Sequence, residues 1–394
     1  MKATTAQVIA DGQKYVMNTY GRLPIVIDKG EGSYVWDLDG NKYLDLVAGI
    51  AVNSLGHGHP AVIQAIKEQS EQLLHCSNLY WIENQVNLAK LLVEKSGLGK
   101  AFFCNSGAEA NEAAIKLARK WGNGEKYHFV VMQKSFHGRT LGSLAATAQE
   151  KYQKPFMPLP EGFTAVPLGD LEALEAAIRP ETCAVMLEPI QGESGINVPS
   201  IEYMQGVRAL CDKHGILMIL DEVQAGLGRT GKPFAFQNFG IVPDIISLAK
   251  AIANGVPMGA IVAKNEVADC FQPGDHASTF GGTPIATAAG LAACNILLDE
   301  MFLADVQETG EYFRAELRAI GERHPGIIKE VRGLGLMIGC ELTGSSKDAT
   351  AELLKRGVLV NSIGDHVLRF VPPLTITKAE IDSFMPILEE VLTK

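Results

Sequence analysis

The sequence predicts an α/β protein with a large domain built on a mainly parallel sheet, followed by a smaller α+β C-terminal domain. Short apolar runs alternate with helix-like stretches up to about residue 285, as in parallel sheets. Two of these runs lead into a charged residue, Asp221 and Lys250. Beyond residue 285 a long helical stretch precedes a group of short strands. The length of 394 residues allows one large domain and a smaller one.

The elements follow from these patterns in chain order. Near the N-terminus, a hairpin is predicted where two short segments flank the turn Asp39-Gly40. We predict strands at 101–104, 129–132, 183–187, 217–220, 245–248 and 260–263, helices at 109–121 and 202–214, a helical stretch over 285–320, and strands at 327–332, 336–342, 358–361 and 368–371. We therefore expect an N-terminal segment (1–55) that packs with the small domain, a large domain (56–285) and a small domain (286–394).

Composition argues against several classes of function. The net charge is −10 and no basic run occurs, which argues against nucleic acid and anionic membranes as partners. No apolar run reaches about 18 residues, and the first 20 residues lack the apolar core of a signal peptide. The seven cysteines are scattered without a Cys-x-x-Cys pair, so we expect reduced thiols and a cytoplasmic protein.

Asp221 and Lys250 are the most informative residues of the chain. They are separated by 250 − 221 = 29 residues, enough for a crossover between parallel strands. Ligands bind beyond the carboxyl ends of such strands. Pyridoxal 5′-phosphate (PLP) requires a lysine that bonds to it and an acid facing its ring nitrogen. Burial among apolar residues should lower the pKa of Lys250 and make its amine nucleophilic. A structural ion pair is the alternative.

Two further loops follow predicted strands. Ser106 can cap a helix whose free backbone amides would bind an anion, and an ordinary N-cap is the alternative. Phe136 could stack on a planar cofactor, while Arg139 suits a carboxylate. The alternative is a core phenylalanine beside a surface arginine.

Two motifs suggest other chemistry only weakly. The segment 226–231 matches G-x-G-x-x-G and nearly matches a P-loop, but Pro233 occupies the Ser/Thr position, so a tight-turn loop is favoured. The segment from His57 to Pro60 has no carboxylate or cysteine at ligand spacing. We therefore predict a turn there and no metal site.

Over nearly its whole length the chain resembles the class-III (ω-amino acid) aminotransferases, which have the type I PLP-dependent transferase fold. The resemblance is carried by the segments 220–231, 243–244, 247–250 and 255–259, with support from 77–80, 105–112, 136–139, 278–282 and 332–339. The chain has Ser194 and Thr283 where the family commonly has glycine and asparagine, and neither change removes a catalytic group.

The resemblance implies a homodimeric, cytoplasmic transaminase of arginine biosynthesis. It would move the δ-amino group of N2-acetylornithine to 2-oxoglutarate, giving N-acetylglutamate 5-semialdehyde and glutamate. Ornithine, succinylornithine, succinyldiaminopimelate and 4-aminobutyrate stay open as alternative donors. Two alternatives from other classes are a nucleotide-dependent enzyme that uses 226–232 and a non-catalytic binding protein.

The resemblance also assigns roles to single residues. Lys250 would hold the cofactor and move the proton, and Asp221 would pair with the ring nitrogen. The other expected cofactor contacts are Ser106, Gly107 and Ala108 at the phosphate, Phe136 and Val223 on the ring faces, Gln224 at the ring hydroxyl, Glu222, and Thr279 of the partner subunit. Arg139 and Ser278 would bind the substrate carboxylate. Glu193 and Arg369 would form a switch that lets one site accept both substrates.

Overall fold

The computed structural model describes residues 3–394. Its strands are β1 (Ile27–Glu31), β2 (Tyr34–Asp37), β3 (Lys42–Asp45), β4 (Lys100–Cys104), β5 (His128–Met132), β6 (Phe163–Val166), β7 (Thr182–Leu187), β8 (Leu217–Asp221), β9 (Ile245–Leu248), β10 (Gly259–Ala263), β11 (Ile328–Leu334), β12 (Met337–Leu342), β13 (Val358–Leu359), β14 (Asn361–Ile363) and β15 (Val367–Phe370). Its α-helices are α1 (Thr5–Tyr15), α2 (Ala48–Ala51), α3 (Pro60–Gln72), α4 (Glu83–Ser96), α5 (Gly107–Trp121), α6 (Leu141–Ala146), α7 (Glu150–Gln153), α8 (Leu171–Ala177), α9 (Ile201–His214), α10 (Asn265–Ala268), α11 (Pro284–Leu297), α12 (Glu300–Arg323), α13 (Ser346–Lys355) and α14 (Lys378–Leu392). Short 3₁₀ segments occupy Lys154–Phe156, Ala235–Phe239 and Lys250–Ala253.

A seven-stranded sheet of order β4-β10-β9-β8-β7-β5-β6 forms the centre of the large domain. Its strands run parallel except β10, which is antiparallel to both of its neighbours. Both faces of this sheet are covered. Met218 and Leu220 of β8 join one hydrophobic cluster, while Leu217 and Ile219 join the cluster on the other face. This two-sided burial is why the strands are apolar throughout, and the predicted mainly parallel sheet is confirmed.

One strand of this sheet escaped prediction. The edge strand β6 is only partly buried and lacks a long apolar run. An edge strand has a neighbouring strand on one side only and is less covered than a central strand. Its sequence therefore carries a weaker hydrophobic signal.

The smaller C-terminal part contains an antiparallel sheet of order β11-β12-β15-β14. The N-terminal hairpin pairs with this part of the chain through a parallel contact between β3 and β13. The predicted strand at 358–361 is therefore wrong as a single element, because β13 and β14 belong to different sheets on either side of the buried residue Val360.

The helical stretch predicted over 285–320 consists of two helices, α11 and α12, whose axes differ by 66°. The second helix begins where the side chain of Asp299 accepts hydrogen bonds from the backbone N–H groups of Met301 and Phe302. No single helix within residues 3–394 is long and apolar enough to cross a membrane. Among these residues, only α11 and α12 taken together, with the bend between them, reach that length and apolar composition.

The first helix of that pair, α11, packs against α3 and α4 of the large domain. The domain boundaries at residues 55 and 285 stay predictions.

Candidate active site

The site lies at the carboxyl edge of the parallel strands. The loops after β5, β7, β8 and β9 meet the start of α5 around a cavity of about 380 Å³. Ten of the residues expected to bind cofactor or substrate line it, namely Ser106, Gly107, Ala108, Phe136, Arg139, Glu193, Asp221, Val223, Gln224 and Lys250. The sheet brings these side chains together because its parallel strands end at the same edge.

Lys250 lies at the start of the 3₁₀ segment after β9. Its backbone φ is +49°, in the left-handed region that non-glycine residues rarely adopt. Within residues 3–394 its amine makes no hydrogen bond or ion pair. Burial lowers the pKa of Lys250, and the nearby carboxylate of Glu193 opposes that effect only in part. The result is an unpartnered, nucleophilic amine at the cavity wall.

The carboxylate of Asp221 is held by three hydrogen-bond donors. One oxygen, Oδ2, accepts from Asn111 Nδ2 at 2.7 Å and bonds to His137 Nδ1 at 2.8 Å, and Oδ1 accepts from the backbone N–H of Val223 at 3.0 Å. Burial alone would lower the pKa of His137, but its bond to Asp221 outweighs that effect and the pKa is raised. The acid therefore faces the cavity as an oriented carboxylate.

The start of α5 presents the anion-binding group of the site. Ser106 caps the helix by accepting the backbone N–H of Glu109 at 3.2 Å, which leaves the amides of Gly107 and Ala108 without partners within residues 3–394. Free amides and the positive end of the helix dipole attract an anion. A Cβ at position 107 would lie 2.9 Å from Cγ1 of Val223, so this close approach requires glycine.

Arg369 and Glu193 form a salt bridge between the small domain and the site. Nη1 of the buried Arg369 lies 2.5 Å from Oε1 of Glu193 and donates to the carbonyl of Gly192 at 3.0 Å, while Nη2 donates to Asn361 at 2.6 Å. Burial alone would raise the pKa of Glu193, but the charge of Arg369 outweighs it and lowers the pKa. Gln224 Nε2 also donates to this carboxylate, at 3.1 Å.

Arg139 lies at the exposed side of the cavity. Its guanidinium stacks 4.1 Å from the ring centroid of Tyr152 and 5.3 Å from that of Phe136. Ser278 and Thr279 lie outside the cavity lining of this chain. The hydroxyl of Ser278 accepts from Asn105 Nδ2 at 3.1 Å, and Thr279 is exposed.

The structure places Glu222 away from the cavity, contrary to the expected cofactor contact. Its carboxylate accepts the backbone N–H groups of Ala235 and Phe236, both at 2.7 Å. Burial raises the pKa of Glu222 to about 7. Neighbouring residues at the end of a strand point to opposite sides, so Asp221 and Glu222 cannot both face the cavity.

The glycine-rich loop after Glu222 forms tight turns. Leu227, Gly228 and Gly231 all have positive φ. Arg229 of this loop is buried and donates to the carbonyls of Leu336 and Pro372, which joins the loop to the small domain. Among residues 3–394, no group of three or more His, Cys, Asp or Glu side chains is placed to hold a metal ion.

Three polar residues of the site were missed by sequence reasoning. Asn111 and His137 fix Asp221, and Glu188 lines the cavity directly after β7. Glu188 carried the same signal as Asp221, since it is a charged residue at the end of a wholly buried strand. The sequence signal of Asn111 was weaker. Asn111 lies one helical turn after Gly107, and residues four apart in a helix lie on the same face.

These groups fit PLP. A helix N-terminus with free amides suits its phosphate, a fixed carboxylate suits a protonated ring nitrogen, and an unpartnered lysine suits its aldehyde. All three line one cavity.

Comparison with known proteins agrees with this geometry. The sequence model of the family described as aminotransferase class-III matches residues 15–392. The chain belongs to the class-III aminotransferase family. It is therefore a PLP-dependent aminotransferase, as the resemblance implied.

Relatives of this class-III aminotransferase are similar over nearly their whole length. An acetylornithine aminotransferase from Caldanaerobacter subterraneus subsp. tengcongensis is 54% identical, with 97% of this chain and 98% of the relative covered. The crystal structure of the ornithine aminotransferase from Toxoplasma gondii ME49 matches with a TM-score of 0.95 at 33% identity, covering 100% of this chain and 96% of that one. The crystal structure of acetylornithine aminotransferase from Elizabethkingia anophelis matches with a TM-score of 0.88 at 31% identity, covering 100% of both chains. The type I fold is thereby confirmed.

Lys250→Ala should abolish transamination and leave the fold intact, because it removes the unpartnered amine. We expect a loss of about 10²–10⁴-fold or more, since a positioned acid–base group contributes about 10²–10⁴-fold. Lys232→Ala, which changes an exposed lysine outside the cavity, is the control. Borohydride reduction of the lysine–cofactor bond in the wild type, followed by peptide mapping, should label Lys250. A label on another lysine would overturn the assignment.

Asp221→Asn should keep the shape of the side chain and lose its charge. We expect turnover to fall roughly 10- to 100-fold with only a modest loss of bound cofactor, because a hydrogen bond to a charged group contributes about 1.5–3 kcal/mol. The pKa of His137 should fall as well, since its bond to Asp221 raises it. Turnover and cofactor absorbance are measured together, and near wild-type turnover contradicts the role of Asp221.

Proposed function

We propose that this aminotransferase moves the δ-amino group of N2-acetylornithine to 2-oxoglutarate, a step of arginine biosynthesis. The observation that carries the proposal is the salt bridge between the buried Arg369 and Glu193, because a pair that can form and break can serve two substrates of different charge. The 54% identity to a relative named acetylornithine aminotransferase supports the choice of donor.

The chain supplies a base, an oriented acid and a phosphate site. When bound, PLP would supply an electron sink that makes the C–H bond of the amine-bearing carbon acidic. Nζ of Lys250 would hold the cofactor and, once the substrate amine has displaced it, would accept the proton from that carbon, which its lowered pKa allows. Asp221, oriented by Asn111 and His137, keeps the ring nitrogen protonated.

The remaining contacts position the cofactor and the substrates. Backbone amides of Gly107 and Ala108 bind the phosphate beside Ser106. Val223 and Phe136 would hold the two faces of the ring, and Gln224 would contact the ring hydroxyl. Arg139 binds the substrate carboxylate through its planar guanidinium. Ser278, which lies outside the cavity of its own chain, stays a predicted contact of that carboxylate.

The pair of Glu193 and Arg369 acts as the switch. Acetylornithine brings its δ-amine to the ring with no carboxylate beside it, whereas 2-oxoglutarate brings an α-carboxylate there. Without Glu193, the unpaired charge of Arg369 would attract the α-carboxylate of the donor and bring its α-nitrogen, rather than its δ-amine, to the ring. Glu193 masks that charge in the first half-reaction and releases it in the second.

The protein acts as a homodimer in which Thr279 of the partner subunit reaches this cofactor. An exposed apolar surface around Thr279 supports the dimer, with Leu79 (83% exposed), Trp81 (92%) and Phe280 (62%) on it. The side chain of Asn78 joins its two segments by donating to the carbonyls of Ser278 and Gly281. A two-fold dimer would cover this surface.

Two further assignments belong to the same proposal. All seven cysteines are free thiols, which supports a reducing cytoplasm as the location. The three sheets support a division of the chain into an N-terminal segment, a large domain and a small domain near residues 55 and 285.

A coupled assay that detects glutamate tests the donor. Acetylornithine, ornithine, succinylornithine, succinyldiaminopimelate and 4-aminobutyrate are compared at saturating 2-oxoglutarate. We expect acetylornithine to have the highest kcat/KM, by about tenfold or more, which corresponds to about 1.4 kcal/mol. A higher value for any other donor would replace acetylornithine in the proposal and leave the family unchanged.

Arg139→Lys should weaken both half-reactions, because both substrates present a carboxylate to the same guanidinium. Lysine keeps the charge but loses the bidentate geometry and the stacking on Tyr152. We expect roughly a 10- to 100-fold drop in kcat/KM for donor and acceptor alike. If only one substrate is affected, Arg139 does not serve both.

Glu193→Ala should leave the charge of Arg369 without its carboxylate partner. Activity with glutamate as donor should therefore rise relative to activity with acetylornithine. Arg369→Ala should chiefly impair the half-reaction with 2-oxoglutarate. We expect shifts of about tenfold or more, the size of a charge-assisted hydrogen bond. Stopped-flow measurement of each half-reaction in both variants provides the comparison. An unchanged donor preference in Glu193→Ala counts against the switch.

A further inference from the structure

Glu188 is a buried carboxylate to which the roles above give no task. It follows β7 directly, is only 5% exposed and lines the cavity. Within residues 3–394 it has no ion-pair partner closer than 4.0 Å. A buried carboxyl group without a paired cation costs stability, so Glu188 requires another reason to lie here.

The two oxygens of Glu188 bind two different loops of the site. Oε2 accepts the backbone N–H of Phe136 at 3.0 Å, and Oε1 accepts that of Gly192 at 3.2 Å. Phe136 belongs to the loop after β5 that faces the cofactor. Gly192 belongs to the loop that carries Glu193. The side chain of Glu188 therefore sets the spacing between the Phe136 loop and the Gly192–Glu193 loop.

The position of Gly192 is restricted on its other sides as well. Its carbonyl accepts from Nη1 of Arg369 at 3.0 Å. A Cβ at this position would lie 2.5 Å from the side chain of Gln224, so the backbone already packs closely against that residue. With Glu188 holding its N–H, Gly192 cannot shift without moving Glu193, the next residue in the chain.

The charges that face Glu188 are consistent with a positional role. Burial raises its pKa to about 7, His137 lowers the pKa and Asp221 raises it. Its charge also acts on Lys250, whose pKa it raises against the larger effect of burial. None of these three residues hydrogen-bonds to Glu188, so backbone N–H groups alone orient it.

We propose that Glu188 is a positioning residue that ties the Phe136 loop to the Gly192–Glu193 loop and thereby holds the Glu193–Arg369 pair closed. The link is a property of the fold, whereas its effect on donor choice rests on the proposed function. Loss of Glu188 should weaken the salt bridge between Glu193 and Arg369 and leave the charge of Arg369 unpaired. Activity with acetylornithine should then fall relative to activity with glutamate.

Hydrogen–deuterium exchange of the full-length holoenzyme tests the link without an activity measurement. Glu188→Ala removes both acceptors, and Glu188→Gln removes one of them while keeping the shape. We expect faster exchange at the amides of Phe136 and Gly192 in Glu188→Ala, and at one or both in Glu188→Gln. Unchanged exchange at both amides in both variants would overturn the link.

Glu222→Gln is the matched control. Glu222 is another buried carboxylate with a pKa raised to about 7 and two backbone N–H partners, but it does not line the cavity. Its variant should speed exchange at Ala235 and Phe236 and leave Phe136 and Gly192 unchanged. Faster exchange at Phe136 and Gly192 in this control as well would show general loosening and would overturn the specific link.

The ratio of kcat/KM for acetylornithine to that for glutamate, measured in single half-reactions, tests the effect on the switch. We expect this ratio to fall about tenfold in Glu188→Ala, as for loss of a charge-assisted hydrogen bond, and to stay within about twofold of wild type in Glu222→Gln. A merely structural loss would lower both values equally. An unchanged ratio in Glu188→Ala would overturn the positioning role.

If the wild type does not use acetylornithine, the proposed donor is wrong. The exchange comparison between Glu188 and Glu222 variants still decides whether the link exists.

Discussion

The hydrogen bonds of the Asp221 carboxylate join the elements from which the site is built. Asn111 comes from α5, His137 from the loop after β5, and Val223 from the backbone that follows β8. A carboxylate buried at a strand end needs such donors to satisfy its oxygens. By meeting that need, the protein also fixes the start of α5 and the Phe136 loop relative to the central sheet.

The second half of the site depends on contact between two sheets. Arg369 belongs to β15 of the antiparallel sheet, and Glu193 to the loop after β7 of the central sheet. Arg369 is buried in this salt bridge and Glu193 is partly exposed, and an unpaired charge on the buried Arg369 would be costly. The relative position of the two sheets therefore decides whether Glu193, which lines the cavity, has a partner. Arg229, which donates to the carbonyls of Leu336 and Pro372, adds a second buried connection between the same regions.

Local backbone geometry supports this arrangement at two points. Lys250 takes a left-handed conformation immediately after β9, a strained state that the surrounding packing must hold. Gly107 allows the first turn of α5 to approach Val223 more closely than any other residue could. At both points the path of the main chain places a group at the cavity wall, namely the amine of Lys250 and the free backbone amide of Gly107.

The sequence by itself determined the strands of the central sheet and the residues at their ends. A parallel strand buried on both faces must be apolar throughout, so a charged residue that ends it, such as Asp221 or Lys250, stands out in the sequence. Tertiary structure alone decided which strand-end groups meet. It turned Glu222 away from the cavity, brought Glu188 into it and paired Asn111 with Asp221 across 110 residues. It also split the strand at 358–361 between two sheets and bent the helical stretch at Asp299. Local periodicity reports how deeply a segment is buried, whereas these outcomes depend on which segments pack together, and that depends on the whole chain.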